Sequence, residues 1–337
     1  MHKKKLIFVK PKQITTLYLF SFVSSQEMES GDIKRRTMKL FSDFLIHISA
    51  EKRSIGKVRV AETYLAALHS LQTFLGRQDI AFADINSTLL GRYEDWMAHR
   101  GLSKNTSSFY MRNLRAVYNR AIAEKRVKGN IPFHDVYTGV GKTRKRAVEA
   151  EDIQRLRRLP LSAGSWEAMA RDLFLFSYYC RGMSFVDMAY LRPQDLVGGR
   201  LYYARRKTGQ RLSLRWEPCM QEIVDRYAPN PAGYLLPIIT QPGKDALRQY
   251  RSKTHSVNTA LHALSAQLGI DPPLTTYVAR HSWASNAYKM GIPVAIISEA
   301  LGHDSEKTTR IYLASMEEEK LDAANASLLA FLMCGEG

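Results

Sequence analysis

Thr275-Thr276-Tyr277-Val278-Ala279-Arg280-His281-Ser282-Trp283-Ala284, then Leu301-Gly302-His303, then Thr308-Thr309-Arg310-Ile311-Tyr312-Leu313: the reading of this chain turns on these three pieces. Taken singly, Arg280, His303 and Tyr312 are ordinary residues, and a lone tyrosine near a chain end belongs to a core or a surface. Taken together they set out an arginine, a helix-length gap, a Leu-Gly-His turn, and a tyrosine nine residues after the histidine. Leu-Gly-His-Asp-Ser followed by Thr-Thr-Arg-Ile-Tyr is hard to obtain by chance.

That order and spacing resembles the tyrosine recombinases of the phage-integrase family, and the resemblance runs from residue 38 to about 325. It implies a reaction. The hydroxyl of Tyr312 attacks a phosphodiester, leaving a 3′-phosphotyrosyl link and a free 5′-hydroxyl. The link keeps the bond energy, so neither ATP nor a metal is required and no cofactor is expected. Negative charge grows on the non-bridging oxygens in the transition state, and fixed guanidinium forks suit it. Losing one such stabiliser costs on the order of 10²–10³ in rate. A phenol ionises at about pH 10, so its proton needs help to leave. The departing alkoxide needs a proton in turn.

On composition alone, Lys207 in Arg205-Arg206-Lys207-Thr208-Gly209 is a solvent-facing hairpin charge. The resemblance makes it the family's hairpin lysine, the general acid. Two positions depart from the family pattern. Its first arginine stands in a Gly-Leu-Arg-x-x-Glu frame, but here Cys180-Arg181-Gly182-Met183-Ser184-Phe185-Val186-Asp187 puts Ser184 in that place. Some relatives from Bacteroides-type bacteria also carry Arg-Gly-Met-Ser-Phe there, and this chain comes nearest to them in pattern. Arg181 is therefore expected to present its guanidinium in place of the missing arginine; the competing reading is a structural cation. Tyr277 stands three residues before Arg280, where a histidine is common. Its hydroxyl can donate to a phosphate oxygen, though it can equally be a packing aromatic. His281 is read as bracing the site, and His255 and His262 as structural.

Working outward, the fold class is mainly α, with one β-hairpin. Residues 1–37 read as an N-terminal extension, disordered or spurious, with Met28 or Met38 as alternative starts. Residues 38–138 read as a helical, SAM-like core-binding domain. Val60, Tyr64, Leu68, Leu71 and Leu75 form one apolar stripe. Asp84 to His99 is a second helix, with Leu89, Leu90, Tyr93 and Trp96 as its apolar positions. After Gly101, Ser103-Lys104-Asn105-Thr106 offers capping residues for a third. That helix carries Tyr110, Leu114, Val117 and Ala121 on one face and Arg112, Arg115, Arg120, Lys125 and Arg126 on others. Such a basic helix is usually a solvated face, but in a chain with so large a cationic surplus Lys104, Arg112, Arg115 and Arg120 are expected to contact DNA. Residues 139–148, with Lys142, Arg144, Lys145 and Arg146, read as a basic linker able to track a phosphate backbone. Residues 149–325 read as the catalytic domain, mostly helical with a small sheet, followed by a tail, 326–337. Trp166 to Tyr179 is a buried helix. Leu201-Tyr202-Tyr203 and Leu212 to Trp216 flank a turn at Gly209, and Val257, Leu261, Leu264 and Leu268 mark a helix ended by Gly269.

Composition agrees. Lys and Arg number 49 against 32 acidic residues, a net charge of +17 spread along 337 residues, which favours extended contact with a polyanion such as nucleic acid. Apolar residues make up 45% of the chain, enough for packed cores and against disorder. Cys180, Cys219 and Cys334 have neither metal-ligand spacing nor the look of a disulfide framework, so a reducing cytosol is the natural home. Lys10 and Lys12 interrupt the early apolar run, and no membrane span is read. From the resemblance come the expected partners: double-stranded DNA with specific recombination sites, clamped between the two domains, and a homotetramer on synapsed DNA. A contact in trans by the apolar tail and accessory DNA-bending proteins complete that list. Three other functions compete: a DNA-binding relative without catalysis, a type IB topoisomerase-like enzyme, and a structural nucleoid protein.

Overall fold

The computed structural model describes residues 39–127, 132–141, 146–303, 305–306, 308–310, 313 and 325–326. The expected extension, 1–37, lies outside the described residues, as do Lys142, Arg144, Lys145, Tyr312 and all of the expected tail except Ala326. The chain divides into two compact units, Met1–Lys142 and Thr143–Gly337.

The described part of the first unit is helical: α1 (Phe41–Ser54), α2 (Val58–Leu75), α3 (Ser87–His99) and α4 (Lys104–Ala123). The apolar stripe on α2 turns Leu68 and Leu71 fully inward, with Tyr64 and Leu75 partly buried beside them. Truncating either inward leucine to alanine would cost about 2–5 kcal/mol. Gly76, with φ of 67°, closes α2 in the left-handed conformation that glycine adopts without a Cβ clash. The second helix starts later than the sequence indicates. Asp84 lies in a short 3₁₀ turn, where its carboxylate accepts the Ala81 N–H at 2.8 Å and pairs with Arg77 at 2.8 Å. Asn86 caps α3 instead, accepting the Leu89 N–H at 2.9 Å. Ser103 caps α4, accepting from the Thr106 N–H. Leu114, Val117 and Ala121 are buried on the expected face of α4, joined by Met111 and Tyr118. Phe41, Phe82 and Tyr118 meet ring to ring at the centre of this core.

The second unit is built around α6 (Trp166–Tyr179), which packs against α5 (Ala150–Arg158), α8 (Pro218–Asp225), α9 (Ala246–Leu268) and α10 (Val278–Lys289). Leu173, Phe174, Leu175 and Phe176 are all buried, so this helix is apolar around its circumference because it has neighbours around its circumference. One charge, Asp172, is buried with it. Its carboxylate is met by Arg171 at 3.0 Å, Arg226 at 2.8 Å and the Tyr227 hydroxyl at 3.0 Å. Burial first, and then this carboxylate, push the Tyr227 hydroxyl well above the ordinary phenol range.

A three-stranded antiparallel sheet, β1 (Leu196–Val197), β2 (Arg200–Ala204) and β3 (Arg211–Arg215), lies in the order β1-β2-β3. Leu201 faces Leu214, and both are buried; Ala204 faces Arg211 at the turn end. The first strand was not anticipated. Its signal is Gly198-Gly199, both at positive φ (57° and 72°), the dipeptide that a two-residue hairpin turn favours.

α10 is helical despite burying Ser282, Ser285 and Asn286. Ser282 and Asn286 have partners. Ser282 Oγ accepts the Val148 N–H at 3.0 Å, and Asn286 Nδ2 donates to the Val148 carbonyl at 3.5 Å and to the Tyr178 hydroxyl at 3.2 Å. The segment read as a linker is thus pinned at its end: Val148 is buried against α10, and Lys289 pairs with Glu149 at 2.5 Å. Its start is pinned to the first unit, where Gly141 exchanges hydrogen bonds with Asn105.

Candidate active site

Arg280 sits in the first turn of α10, 4% exposed. Its guanidinium donates from Nη1 to the Gly182 carbonyl at 3.0 Å and from Nη2 to the Leu301 carbonyl at 2.5 Å. Nη2 also meets His303 Nε2 at 3.1 Å. An arginine N–H can only donate, so His303 accepts at Nε2 and carries its proton on Nδ1. That Nδ1–H donates to Thr309 Oγ1 at 2.8 Å. The array Gly182, Arg280, His303, Thr309 is continuous, and Thr309 is fully buried.

Two glycines make this array possible. Gly182 lies at φ of 69°, and a Cβ on it would come within 2.8 Å of the Arg280 Cα. Gly302 closes α11 (Val294–Leu301) at φ of 64° and turns the chain so that His303 N–H donates to the Ser298 carbonyl at 3.0 Å. Leu313 is buried in a small core with Leu301, Ile297, Ala284 and Ala287. Tyr312 itself lies outside the described residues.

Lys207 is exposed at the tip of the β2–β3 hairpin. The tip is closed by the Gly209 N–H donating to the Arg205 carbonyl at 2.7 Å and the Arg205 N–H to the Gln210 carbonyl at 2.8 Å. Behind it, Asp187 Oδ1 accepts the Arg206 N–H at 2.8 Å, and the Arg206 guanidinium lies over the Tyr190 ring at 3.7 Å. Ser184, at the start of α7 (Phe185–Ala189), donates its hydroxyl to the other oxygen of Asp187 at 2.6 Å. It braces the acidic residue and supplies no cation.

Arg181 holds a positive φ, 56°, rare for a residue with a Cβ. Its Nη1 reaches the Ser213 carbonyl of β3 at 3.5 Å. It lines a cavity of about 360 Å³ with Tyr203, Arg211, Ser213, Ile296 and Glu299; Arg280 and His303 are not in that lining. Tyr277 is 48% exposed, its ring edge-on to His281 with centroids 4.5 Å apart. It is a surface aromatic leaning on a histidine.

In the first unit Lys104 is exposed at the start of α4. Arg112 Nε donates back to the Ser108 carbonyl at 3.3 Å and Arg115 Nη1 to the Thr138 hydroxyl at 2.9 Å. Arg120 forks onto Glu51 at 2.8 and 3.2 Å and onto Glu124 at 2.9 Å, tying α1 to α4. Among the linker cations, Arg146 is described, and it is exposed. Four residues with evident work at the site were not singled out from sequence: Gly182, Asp187, Arg205 and Thr309.

Two family profiles match this chain. The phage integrase SAM-like domain matches residues 40–136, and the phage integrase family profile matches residues 217–319. Together they span more than half of the 337 residues. This chain belongs to the phage integrase family of tyrosine recombinases. The recombinase is 23% identical over 305 residues to a tyrosine recombinase of Pseudothermotoga lettingae, covering 87% of this chain and 98% of that one. It is 24% identical to the tyrosine recombinase XerC of Halalkalibacterium halodurans, covering 80% and 91%. Among solved structures, XerH bound to a palindromic difH substrate aligns with a TM-score of 0.62 at 17% identity, covering 84% of each chain. A lambda integrase (75–356) dimer bound to a COC′ core site aligns at 0.60 and 17%, covering 80% of this recombinase and 94% of that chain. These likenesses share the fold described above.

Proposed function

We infer that this recombinase cleaves and rejoins double-stranded DNA at specific sites through a 3′-phosphotyrosyl intermediate on Tyr312. One observation carries the reading: Arg280 is buried and held rigid by two main-chain carbonyls, with His303 against it and Thr309 behind His303. A guanidinium fixed before substrate arrives stabilises developing phosphorane charge without reorganisation. His303, proton on Nδ1 and Nε2 accepting from Arg280, holds the guanidinium in place and is the group nearest to it that can exchange a proton once DNA displaces that bond. Lys207 supplies the proton to the leaving 5′-oxygen from the hairpin tip. Arg181 takes the place of the first arginine, its strained loop being kept for the guanidinium it carries, and Tyr277 donates to the phosphate from the rim.

DNA is the partner that a net charge of +17 favours, and the XerH and lambda integrase structures are of proteins bound to DNA. Lys104, Arg112, Arg115, Arg120, Lys142, Arg144, Lys145 and Arg146 contribute phosphate contacts that orient the duplex without reading its sequence. The assembly is a tetramer on paired sites, as in a lambda integrase tetramer bound to a Holliday junction. Accessory DNA-bending proteins and a place in the bacterial nucleoid complete the proposal. Among the described residues no helix is long and apolar enough to cross a membrane.

The test is a denaturing pull-down of tagged protein from its host, wild type beside Tyr312→Phe, with sequencing of any DNA that stays attached. Discrete sequences on the wild type alone establish the nucleophile and the site together. No adduct on either sinks the reading in favour of a DNA-binding relative. Adducts at arbitrary sequence, with plasmid relaxation, identify a topoisomerase.

A further inference from the structure

Arg205 is buried at the base of the β2–β3 hairpin, 9% exposed, and pairs with no carboxylate among the described residues. Its Nη1 donates to the carbonyl of Gly302, 97 residues away. Its Nε is buried without a hydrogen-bond partner, and so is the Oε1 of Gln210 across the same turn. A guanidinium buried on one carbonyl is an expensive way to fill space, and a methionine or leucine beside Leu212 would fill it better. Orphaned polar groups of this kind in a native interior call for a reason outside packing.

The reason lies in what Arg205 joins. A Cβ on Gly302 would stand 2.8 Å from Arg205 Cδ, 2.8 Å from Gln210 Oε1 and 2.9 Å from Leu212 Cδ1, so the hairpin base lies flush on the turn that aims His303. Lys207 is two residues beyond Arg205, exposed, with no hydrogen bond or ion pair of its own among the described residues. Its location in space is therefore inherited from the hairpin base. Two side chains fix that base from outside the sheet: Asp187, through the Arg206 N–H, and Arg205, through the Gly302 carbonyl.

We propose that Arg205 is a positioning residue that registers the Lys207 tip to the Gly302–His303 turn, so that the leaving-group acid and the Arg280–His303 pair act as one rigid site. The proposal rests on the reading of Lys207 as the acid. It does not require Arg205 to touch DNA, and a buried Nε is in no position to do so.

The test is single-turnover cleavage of the DNA site recovered from the covalent adduct, made once with oxygen and once with sulfur at the 5′-bridging position. In ordinary DNA the Tyr312 oxygen–phosphorus bond forms, the phosphorus–5′-oxygen bond breaks, and that oxygen takes a proton from Lys207. With sulfur the leaving group departs as a thiolate and takes none. Lys207→Ala and Arg205→Gln should each lose about 10²-fold on ordinary DNA and return to within about threefold of wild type on sulfur DNA. Arg205→Lys keeps the charge without the fork and should fall between; if Arg205→Gln fails to bind DNA, it is judged by the same criteria in its stead. Undiminished cleavage of ordinary DNA by the Arg205 variant overturns the proposal. So does a loss that sulfur relieves for Lys207→Ala but not for the Arg205 variant. If sulfur relieves neither, Lys207 is not the acid, and this inference falls with that reading.

Discussion

Gly302 has neither room for a side chain nor a φ that tolerates one. Gly302→Ala should cost about 1–3 kcal/mol of stability from overpacking and backbone strain. It should also slow cleavage more than it weakens DNA binding, since the clash falls on Arg205 and moves the His303 turn. Thermal melting and adduct formation at saturating protein check both halves. Arg181 is the other residue whose role is decided at this scale. Arg181→Ala should lower the cleavage rate by on the order of 10²-fold if it replaces the first arginine. Cleavage at the wild-type rate would make Arg181 a structural cation on the Ser213 carbonyl. The sequence singles out Arg280, His303 and Tyr312 because the family motif lies in one continuous stretch, residues 275–313. Arg205 was not legible, since nothing local distinguishes it from Arg206, one residue on, which is exposed over a tyrosine ring.

Elements were easier to read than their partners. The stripes on α2 and α4 show in the sequence because each repeats at the helical period, and α6 shows as an uninterrupted apolar run. Asp84 was misplaced into α3 because its carboxylate caps a different turn, a choice made by a 3₁₀ segment that periodicity does not reveal. The basic side of α4 is the clearest case of an element whose partner changes its meaning. The Arg120 hydrogen bond holds the Glu51 carboxyl below the usual carboxylate range. A lowered folded value means the pair stabilises above the ordinary glutamate range, and that contribution is lost as pH falls through the folded value. Both side chains are over one-third exposed, at 34% and 39%, so the gain is at most about 1 kcal/mol. Glu51→Gln should lower the melting temperature slightly at neutral pH, less in high salt, and not at all once acid has protonated the wild-type glutamate.

On the scale of the whole molecule, the two units carry separate cores, one drawn from residues 41–136 and one from residues 148–279. Assembly is where the chain ends matter. The apolar stretch Leu328-Leu329-Ala330-Phe331-Leu332-Met333 follows Tyr312 in the chain, and we expect it to dock on a neighbouring protomer. Deleting residues 323–337 should abolish cooperative pairing of two DNA sites while leaving single-site binding intact, as read by gel-shift and by ligation of paired sites. Unchanged recombination by the truncated protein would place the tail against its own core.

By itself the sequence determined the family, the helical class, most of the helices and the hairpin, and it singled out Arg280, His303 and Tyr312 as the candidates for the chemistry. Each depends on spacing along the chain, which survives without a third dimension. The tertiary structure alone decided which cations are committed and to what. Arg120 meets Glu51 across 69 positions, Arg280 meets the Gly182 carbonyl across 98, and Arg205 meets Gly302 across 97. It also decided that Val148, at the end of a stretch read as a linker, is core. The physical reason is common to all of them. A charge or a methyl group has no fixed role until burial strips its water, and what strips it comes from distant parts of the chain.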